Sequence, residues 1–332
     1  MRTADLDYGL PQELIAQEPI EPRDAARLMV VNRADGSLAH RYIRDLPELL
    51  APGDLLVANR SRVLPARIRG HLLAGGRAEL LLLRRLADGH WEALVRPARR
   101  LRVGDRVSVD SEVNVRIERE LPEGLREISI QGQEAELMAH GEAPLPPYIQ
   151  AWHGDPERYQ TIFADVDGSA AAPTAGLHFT PALVDAIKAR GVCVDTLLLH
   201  IGLDTFRPIA EADPREHRIH SEWYSVPSAL QIAIAETRAH GHRIVAIGTT
   251  TVRALETWAA TGQAEGATTL FITPGFEFKA VDAMLTNFHL PRSTLLLLVS
   301  AFAGRERVLA AYAEAVRERY RFYSFGDAML VG

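Results

Sequence analysis

Four stretches of the chain gather histidines, hydroxyls and small residues in patterns suited to chemistry. In residues 172–179 (APTAGLHF), His178 follows Thr174 and Gly176 and stands just before a helix start. Small residues admit a ligand to the backbone, and a helix start offers unpaired N–H groups to an anion; a tight turn with His178 packed into it is the structural alternative. Residues 248–256 (GTTTVRALE) read as a strand-to-helix junction, the place where open α/β sheets bind ligands. There Thr249, Thr250 and their N–H groups suit a carboxylate or phosphate, with Arg253 one turn further in, and threonine capping is the plainer reading. Residues 199–208 (LHIGLDTFRP) carry His200 at a strand end and are followed by His220 and Glu222. An imidazole beside acids is a general base once something orients it; otherwise it is hydrogen-bonded structure. The last stretch, residues 274–291, holds Lys279, Asp282, Asn287 and His289, with Phe276, Phe278 and Phe288 either in the core or stacking on a base.

Common signatures are missing: a glycine-rich dinucleotide or phosphate loop, a nucleophile elbow, and a cysteine-based zinc pattern. The pairs His217/His220 and His240/His242 have metal-like spacing without cysteines nearby, and the expectation is no metal.

The elements needed to hold these stretches are legible in the hydrophobic pattern. Apolar runs at 28–31 and 54–58 read as buried strands. From 63 to 130, short strand-like runs (63–73, 77–83, 91–95, 106–109, 113–117 and 125–130) follow one another across Gly and Asp turns, which predicts a small antiparallel barrel. The proline-rich residues 143–148 suit a boundary. Beyond residue 170, helices and strands alternate: helix from Thr180-Pro181 to Gly191, strand 192–199, helix 227–241, strand 243–247, helix 252–260, strand 268–272 and helix 305–320. Such alternation predicts a largely parallel sheet covered by helices. The expected architecture is an α/β domain of residues 1–62 and 148–332, interrupted by a β-barrel of residues 63–147.

Composition fits this picture. The chain has 332 residues, 47% hydrophobic and 24% charged, enough for two cores. One cysteine, Cys193, cannot form an internal disulfide, no apolar run is long enough to span a membrane, and the first residues lack a leader-like pattern. A cytoplasmic protein is expected. The net charge of −6 is uneven: residues 60–106 hold twelve Arg, no Lys and four acids, a local charge of +8 that leaves −14 for the rest. A basic segment of this kind, including Arg99, Arg100 and Arg102, suits an RNA backbone, although an arginine-rich codon bias would also produce it.

In this order, the four stretches closely resemble the S-adenosylmethionine:tRNA ribosyltransferase-isomerase family of queuosine biosynthesis. The resemblance begins at residues 5–27 (DLDYGLPQELIAQEPIEPRDAAR) and continues through 52–56, 63–67, 144–149 and 159–161. It includes AAPTAGLHF, GTTTVRALE and TNFHLPRSTL and ends on residues 320–329 (YRFYSFGDAM). It implies a Rossmann-like α/β domain interrupted by an inserted antiparallel β-barrel. It also implies transfer and isomerisation of the ribosyl group of S-adenosylmethionine onto 7-aminomethyl-7-deazaguanine at the tRNA wobble position, giving epoxyqueuosine with release of adenine and methionine. S-adenosylmethionine is then a consumed substrate and no cofactor is needed; the partners are the donor and the tRNA, with no membrane and no required protein partner.

On this resemblance the expected catalytic groups are His178, His200, His220 and His289, with Asp282 and Glu222 as orienting acids. Thr174, Gly176, Thr249, Thr250, Arg253, Lys279 and Asn287 are expected to bind substrate, and Arg99, Arg100 and Arg102 to bind RNA. Two positions depart from the family pattern: Arg60, in place of an uncharged or acidic residue, and Asp204, in place of a glycine. A methyltransferase using the same donor and a non-catalytic tRNA-binding protein are the competing readings. The first leaves S-adenosylhomocysteine; the second turns over no donor.

Overall fold

Three short apolar runs, Leu55–Asn59, Ile244–Ile247 and Ala283–Asn287, are buried along their whole length, as strands covered on both faces must be. The computed structural model describes residues 1–332 except Ala74, Pro147, Ala151, His153, residues 203–208, Arg218 and His220, and for Glu123 the backbone alone. The chain divides into two compact units, one of Met1–Ser61, Pro147–Val166 and Ala172–Gly332, the other of Arg62–Pro146 with Asp167–Ala171. The short return segment Asp167–Ala171 thus belongs with the second unit, where the sequence pattern places it in the α/β part.

The first unit is built on a nine-stranded sheet. Its centre is four parallel strands in the spatial order Cys193–Leu199, Leu55–Asn59, Ile244–Ile247, Ala283–Asn287. In chain order this is two-one-three-four, so the winding reverses between Leu55–Asn59 and Ile244–Ile247. Crossovers run through the helices Pro181–Ala189, Ser228–Ala239 and Thr249–Thr261. Thr180 caps the first of these by accepting from the Leu183 N–H (3.1 Å). On one face, Leu56, Ala58, Val245, Ile247 and Leu285 pack against Leu183 and Ile187 of that helix.

The sheet is less parallel than the alternating pattern predicts. Ala328–Val331 joins Ala283–Asn287 antiparallel, and Glu222–Ser225 and Glu265–Thr268 add an antiparallel pair at the other side. The strand expected at 268–272 is instead Glu265–Thr268. Beyond it the backbone is claimed by side chains: the Leu270 N–H donates to Thr268 Oγ1 (3.1 Å), and the Leu270 carbonyl accepts from Arg253 Nε (3.0 Å). Helix Thr294–Ala303 is buried at nearly every position, which accounts for its unbroken apolar sequence.

The second unit is a closed six-stranded antiparallel barrel. Arg67–Leu72, Arg77–Ala87, His90–Arg96, Arg126–Gln131, Asn114–Glu120 and Arg106–Ser108 follow in order, and the last pairs back onto the first. Alternate residues point inward, so Ile68, Leu80, Leu82, Val95, Val107, Val115, Ile117 and Ile128 form its core. Closure depends on Gly70. A Cβ there would lie 2.6 Å from the Ser108 carbonyl oxygen and 2.6 Å from Val107 Cγ1. Gly70→Ala is therefore expected to destabilise the barrel by about 2 kcal/mol, the cost of an overpacked site, read as a lower urea midpoint. A midpoint equal to that of the wild type would show that the closing strands can part at little cost.

Candidate active site

Open α/β sheets bind ligands beyond the C-terminal ends of their strands where the winding reverses. Here that place is the gap beyond Asn59 and Ile247. Asn59 stands at its edge: Nδ2 reaches across to Thr250 Oγ1 (3.4 Å), while on the other side Nδ2 donates to the Leu199 carbonyl (2.9 Å) and Oδ1 accepts from the N–H groups of Leu199 (3.1 Å) and Ser61 (3.0 Å). After Ile247, Gly248 turns the chain into helix Thr249–Thr261 with φ +87°, a conformation a residue with a Cβ rarely adopts. The N-cap position is this glycine, which has no side chain to cap the helix, and among the described residues no side chain takes its first N–H groups, leaving them to an anion.

A cleft opens at this point, with about 440 Å³ of empty space including open solvent. Its walls are the loop and turn of Pro173–Ala175, the junction Gly248–Thr250, the strand end Thr286–Asn287 with His289, and Tyr323–Ser324 from the C-terminal segment. Gly176 is needed behind the wall, because a Cβ there would meet Thr161 Cγ2 at 2.9 Å.

Asn287 ties these walls together. Its Nδ2 donates to the Tyr323 carbonyl (3.0 Å) and to His178 Nε2 (3.3 Å), while its Oδ1 accepts from Thr174 Oγ1 (3.4 Å). His178 accepts at Nε2 and so carries its neutral-form proton on Nδ1. Burial, reinforced by the charges of Arg321, Arg23 and Arg158, pushes its pKa down to about 4. His289 stands beside Thr286 Oγ1 (3.0 Å), and burial pushes its pKa down to about 3. Both imidazoles are neutral at neutral pH.

The structure thus brings Thr174, His178, Thr249, Thr250, Asn287 and His289 to the cleft or its backing. Gly176 lies just behind the wall, whereas Arg253, Glu222, His200, Asp282 and Lys279 lie elsewhere. Arg253 and Glu222 form a buried ion pair, with the Gly202 N–H also donating to Glu222 (2.9 Å). Arg253 lines a second cavity with His217, Phe271 and Leu298, one helical turn from Thr249 and separated from the cleft by the shared wall of Leu295. His200 stacks on Trp223 (5.7 Å between ring centres) and bonds Ser61 Oγ through Nδ1 (3.0 Å).

Asp282 and Lys279 lie at the opposite end of the strand from Asn287. Asp282 accepts from the Ile244 N–H (2.8 Å), and the Lys279 N–H donates to buried Glu256 (2.8 Å) while its side chain is exposed. Five residues of strand, about 16 Å, separate Asp282 from the cleft. His220 and Asp204 fall outside the described residues. Arg60 forms a two-pronged ion pair with Asp165 (2.6 and 2.7 Å).

Tyr323 and Thr286 were not expected from their residue types. Tyr323 has a positive φ of +75°, and its ring meets that of Tyr148 (3.9 Å between centres). Among the described residues no group of three potential ligands stands close enough to hold a metal. In the barrel unit, Arg99, Arg100 and Arg102 are exposed around a broad hollow and form no ion pair among the described residues. Several other arginines of the basic segment are paired, among them Arg69 with Glu142 and Arg84 with Glu92.

The two depressed imidazoles have a measurable consequence. Unfolded, each takes up a proton near its ordinary value of 6.5; folded, only near 4 or 3. The unfolded state therefore binds more protons in this window, and stability falls as pH drops from 6.5 toward 4. Each histidine contributes a slope of about 1.4 kcal/mol per pH unit. Urea unfolding across this range should lose about one proton's worth of slope in His289→Gln. An unchanged slope would mean that His289 titrates normally in the folded protein.

Comparison with known proteins agrees with the fold. The family model described as "Queuosine biosynthesis protein" matches residues 3–331. Proteins named S-adenosylmethionine:tRNA ribosyltransferase-isomerase from Moorella thermoacetica and Symbiobacterium thermophilum are 51% and 52% identical, each covering 100% of both chains. The crystal structure of S-adenosylmethionine tRNA ribosyltransferase from Thermotoga maritima is 43% identical, covers 99% of this chain and 100% of that one, and superposes with a TM-score of 0.58. With its full length matched by the family model and by relatives at half identity, the chain belongs to the queuosine biosynthesis protein family.

Proposed function

We propose that this chain is an S-adenosylmethionine:tRNA ribosyltransferase-isomerase whose donor sits in the cleft beyond Asn59 and Ile247. The observation that carries the reading is the cleft's composition: the helix start at Thr249–Thr250 and neutral His289 in its walls, with neutral His178 behind Asn287, in a chain that belongs to this family throughout its length. The methionine carboxylate of the donor suits the helix start, where free N–H groups and the helix dipole favour a negative charge. Arg253 is less suited to that carboxylate, because its charge is already matched by buried Glu222.

The reaction needs a proton acceptor for the 5′-carbon next to the sulfonium and a proton donor for departing adenine. His289 and His178, neutral and oriented by Thr286 and Asn287, serve as acceptors, and the imidazolium formed by the first transfer supplies the proton that departing adenine takes. Burial makes their protonated forms costly, so a proton taken up is readily passed on. The donor is consumed and no cofactor takes part. The RNA contacts the basic hollow of Arg99, Arg100 and Arg102, and the protein works in the cytoplasm without a required protein partner.

Incubation with S-adenosylmethionine and tRNA carrying 7-aminomethyl-7-deazaguanine should release free adenine and methionine, whereas tRNA with unmodified guanine should give neither. S-adenosylhomocysteine as the product would establish methylation instead, and absence of turnover would leave a binding protein. His178→Ala and His289→Ala should each lower kcat by about a hundredfold, the lower end of what a positioned acid or base supplies. Full turnover in both would remove the histidines from the chemistry. Neutralising Arg99, Arg100 and Arg102 together should weaken tRNA binding and flatten its salt dependence by about three contacts, and unchanged affinity would place the RNA elsewhere.

A further inference from the structure

A second, smaller hollow backs onto the cleft. It is lined by Pro19, Ile20, Arg23, Arg158, His178 and Ser324, and Ser324 also lines the cleft. Three guanidinium groups act together here. Arg23 and Arg158 face the hollow, and Arg321 lies close enough for its charge, with theirs, to disfavour protonation of His178.

Each is anchored by only part of its donor set. Arg23 Nη1 donates to the Gln160 carbonyl (2.7 Å), Arg158 Nη2 to the Ile20 carbonyl (2.7 Å), and Arg321 Nη2 to the Glu18 carbonyl. Three acids act on this group, Glu18 and Asp327 on Arg321 and Glu21 on Arg23 and Arg158, fewer than the guanidinium groups once Arg27, which shares Asp327, is counted. Glu21 pairs with Arg158 from a largely exposed position, and Asp327 is shared between Arg27 and the Arg321 N–H (2.8 Å). Burial, with the charge of Arg158 adding to it, holds the pKa of Arg23 below its ordinary value. Crowded, half-buried cations with spare donors and fixed stems form a ready site for an anion with several acceptor oxygens, and guanidinium groups match phosphate in pairs of parallel hydrogen bonds.

We infer that the hollow lined by Arg23 and Arg158, with the charge of Arg321 nearby, binds a backbone phosphate of the RNA substrate, next to the nucleotide whose base enters the cleft. This rests on the ribosyl-transfer reading above for the identity of the substrate. The shared wall at Ser324 and the His178–Asn287 hydrogen bond place the phosphate beside the reacting base, as a single nucleotide requires. The contact is separate from the barrel's basic hollow and belongs wholly to the α/β unit.

The test uses full-length wild type and the variants Arg23→Gln, Arg321→Gln, Arg23→Lys and Pro19→Glu, with exposed Arg190→Gln as the control. KM is measured separately for S-adenosylmethionine and for tRNA carrying the aminomethyl base, and tRNA binding is followed against salt. Arg23→Gln and Arg321→Gln should each raise the tRNA KM roughly tenfold, as loss of one charge-assisted contact does, and lower the salt slope by about one. The donor KM should stay unchanged. Arg23→Lys should keep the wild-type slope. Pro19→Glu cuts no anchoring bond but adds a carboxylate at the rim, and it should raise the tRNA KM even if the arginine variants fold poorly. Unchanged tRNA KM and salt slope in Arg23→Gln and Pro19→Glu, or a change confined to the donor KM, would overturn the inference. Failure of the wild type to form epoxyqueuosine would count against the ribosyl-transfer reading instead, and the salt slopes of tRNA binding would still decide the phosphate site.

Discussion

The buried amide of Asn287 is the joint on which the candidate site depends. It closes the last parallel strand of the sheet, and its two polar atoms make three contacts to two other pieces of chain: the turn bearing Thr174 and His178, and the C-terminal segment at Tyr323. These partners lie 109, 113 and 36 residues away in sequence. A buried amide left without partners costs a large fraction of a protein's net stability. The three contacts therefore form together or not at all, and the walls of the cleft are set by the same bonds that satisfy Asn287. Asn59 plays the matching part on the other side, joining its strand end to that of Leu199 and reaching Thr250 across the point where the winding reverses.

That arrangement explains why neutral histidines are found here. His178 and His289 are themselves buried behind the cleft surface, and burial disfavours an imidazolium. His178 carries a further bias from three arginines whose own charges are incompletely balanced. The same cations that keep His178 neutral thus leave an unfilled electrostatic demand at its back. Buried Glu222 and Arg253 show the opposite solution, a cation balanced inside the protein by its own carboxylate.

Much of the architecture is legible in the sequence because local pattern and burial coincide. The barrel strands alternate, the Thr180-Pro181 helix start is marked by its cap, and Leu55–Asn59 and Ile244–Ile247 are short apolar runs. The edge strands are harder to see. Leu38–Tyr42 is exposed on nearly every residue, and residues 269–272 look strand-like although side chains take the backbone groups of Leu270. At the site, His178, His289, Thr249 and Thr250 stand out by type and position. Lys279 and Asp282 mislead for a geometric reason: a few residues along a strand carry a side chain to the other end of the sheet. The pairing of Arg253 with Glu222, 31 residues away, has no local signature.

The central claim is that the donor occupies the cleft organised by Asn59, Gly248 and Asn287. Hydrogen–deuterium exchange with and without S-adenosylmethionine tests it directly. Slowed exchange at the N–H groups of residues 249–251 and 286–289, with little change in the barrel, is the predicted result. Protection confined to the barrel, or absent from both of those segments at saturating donor, would contradict it.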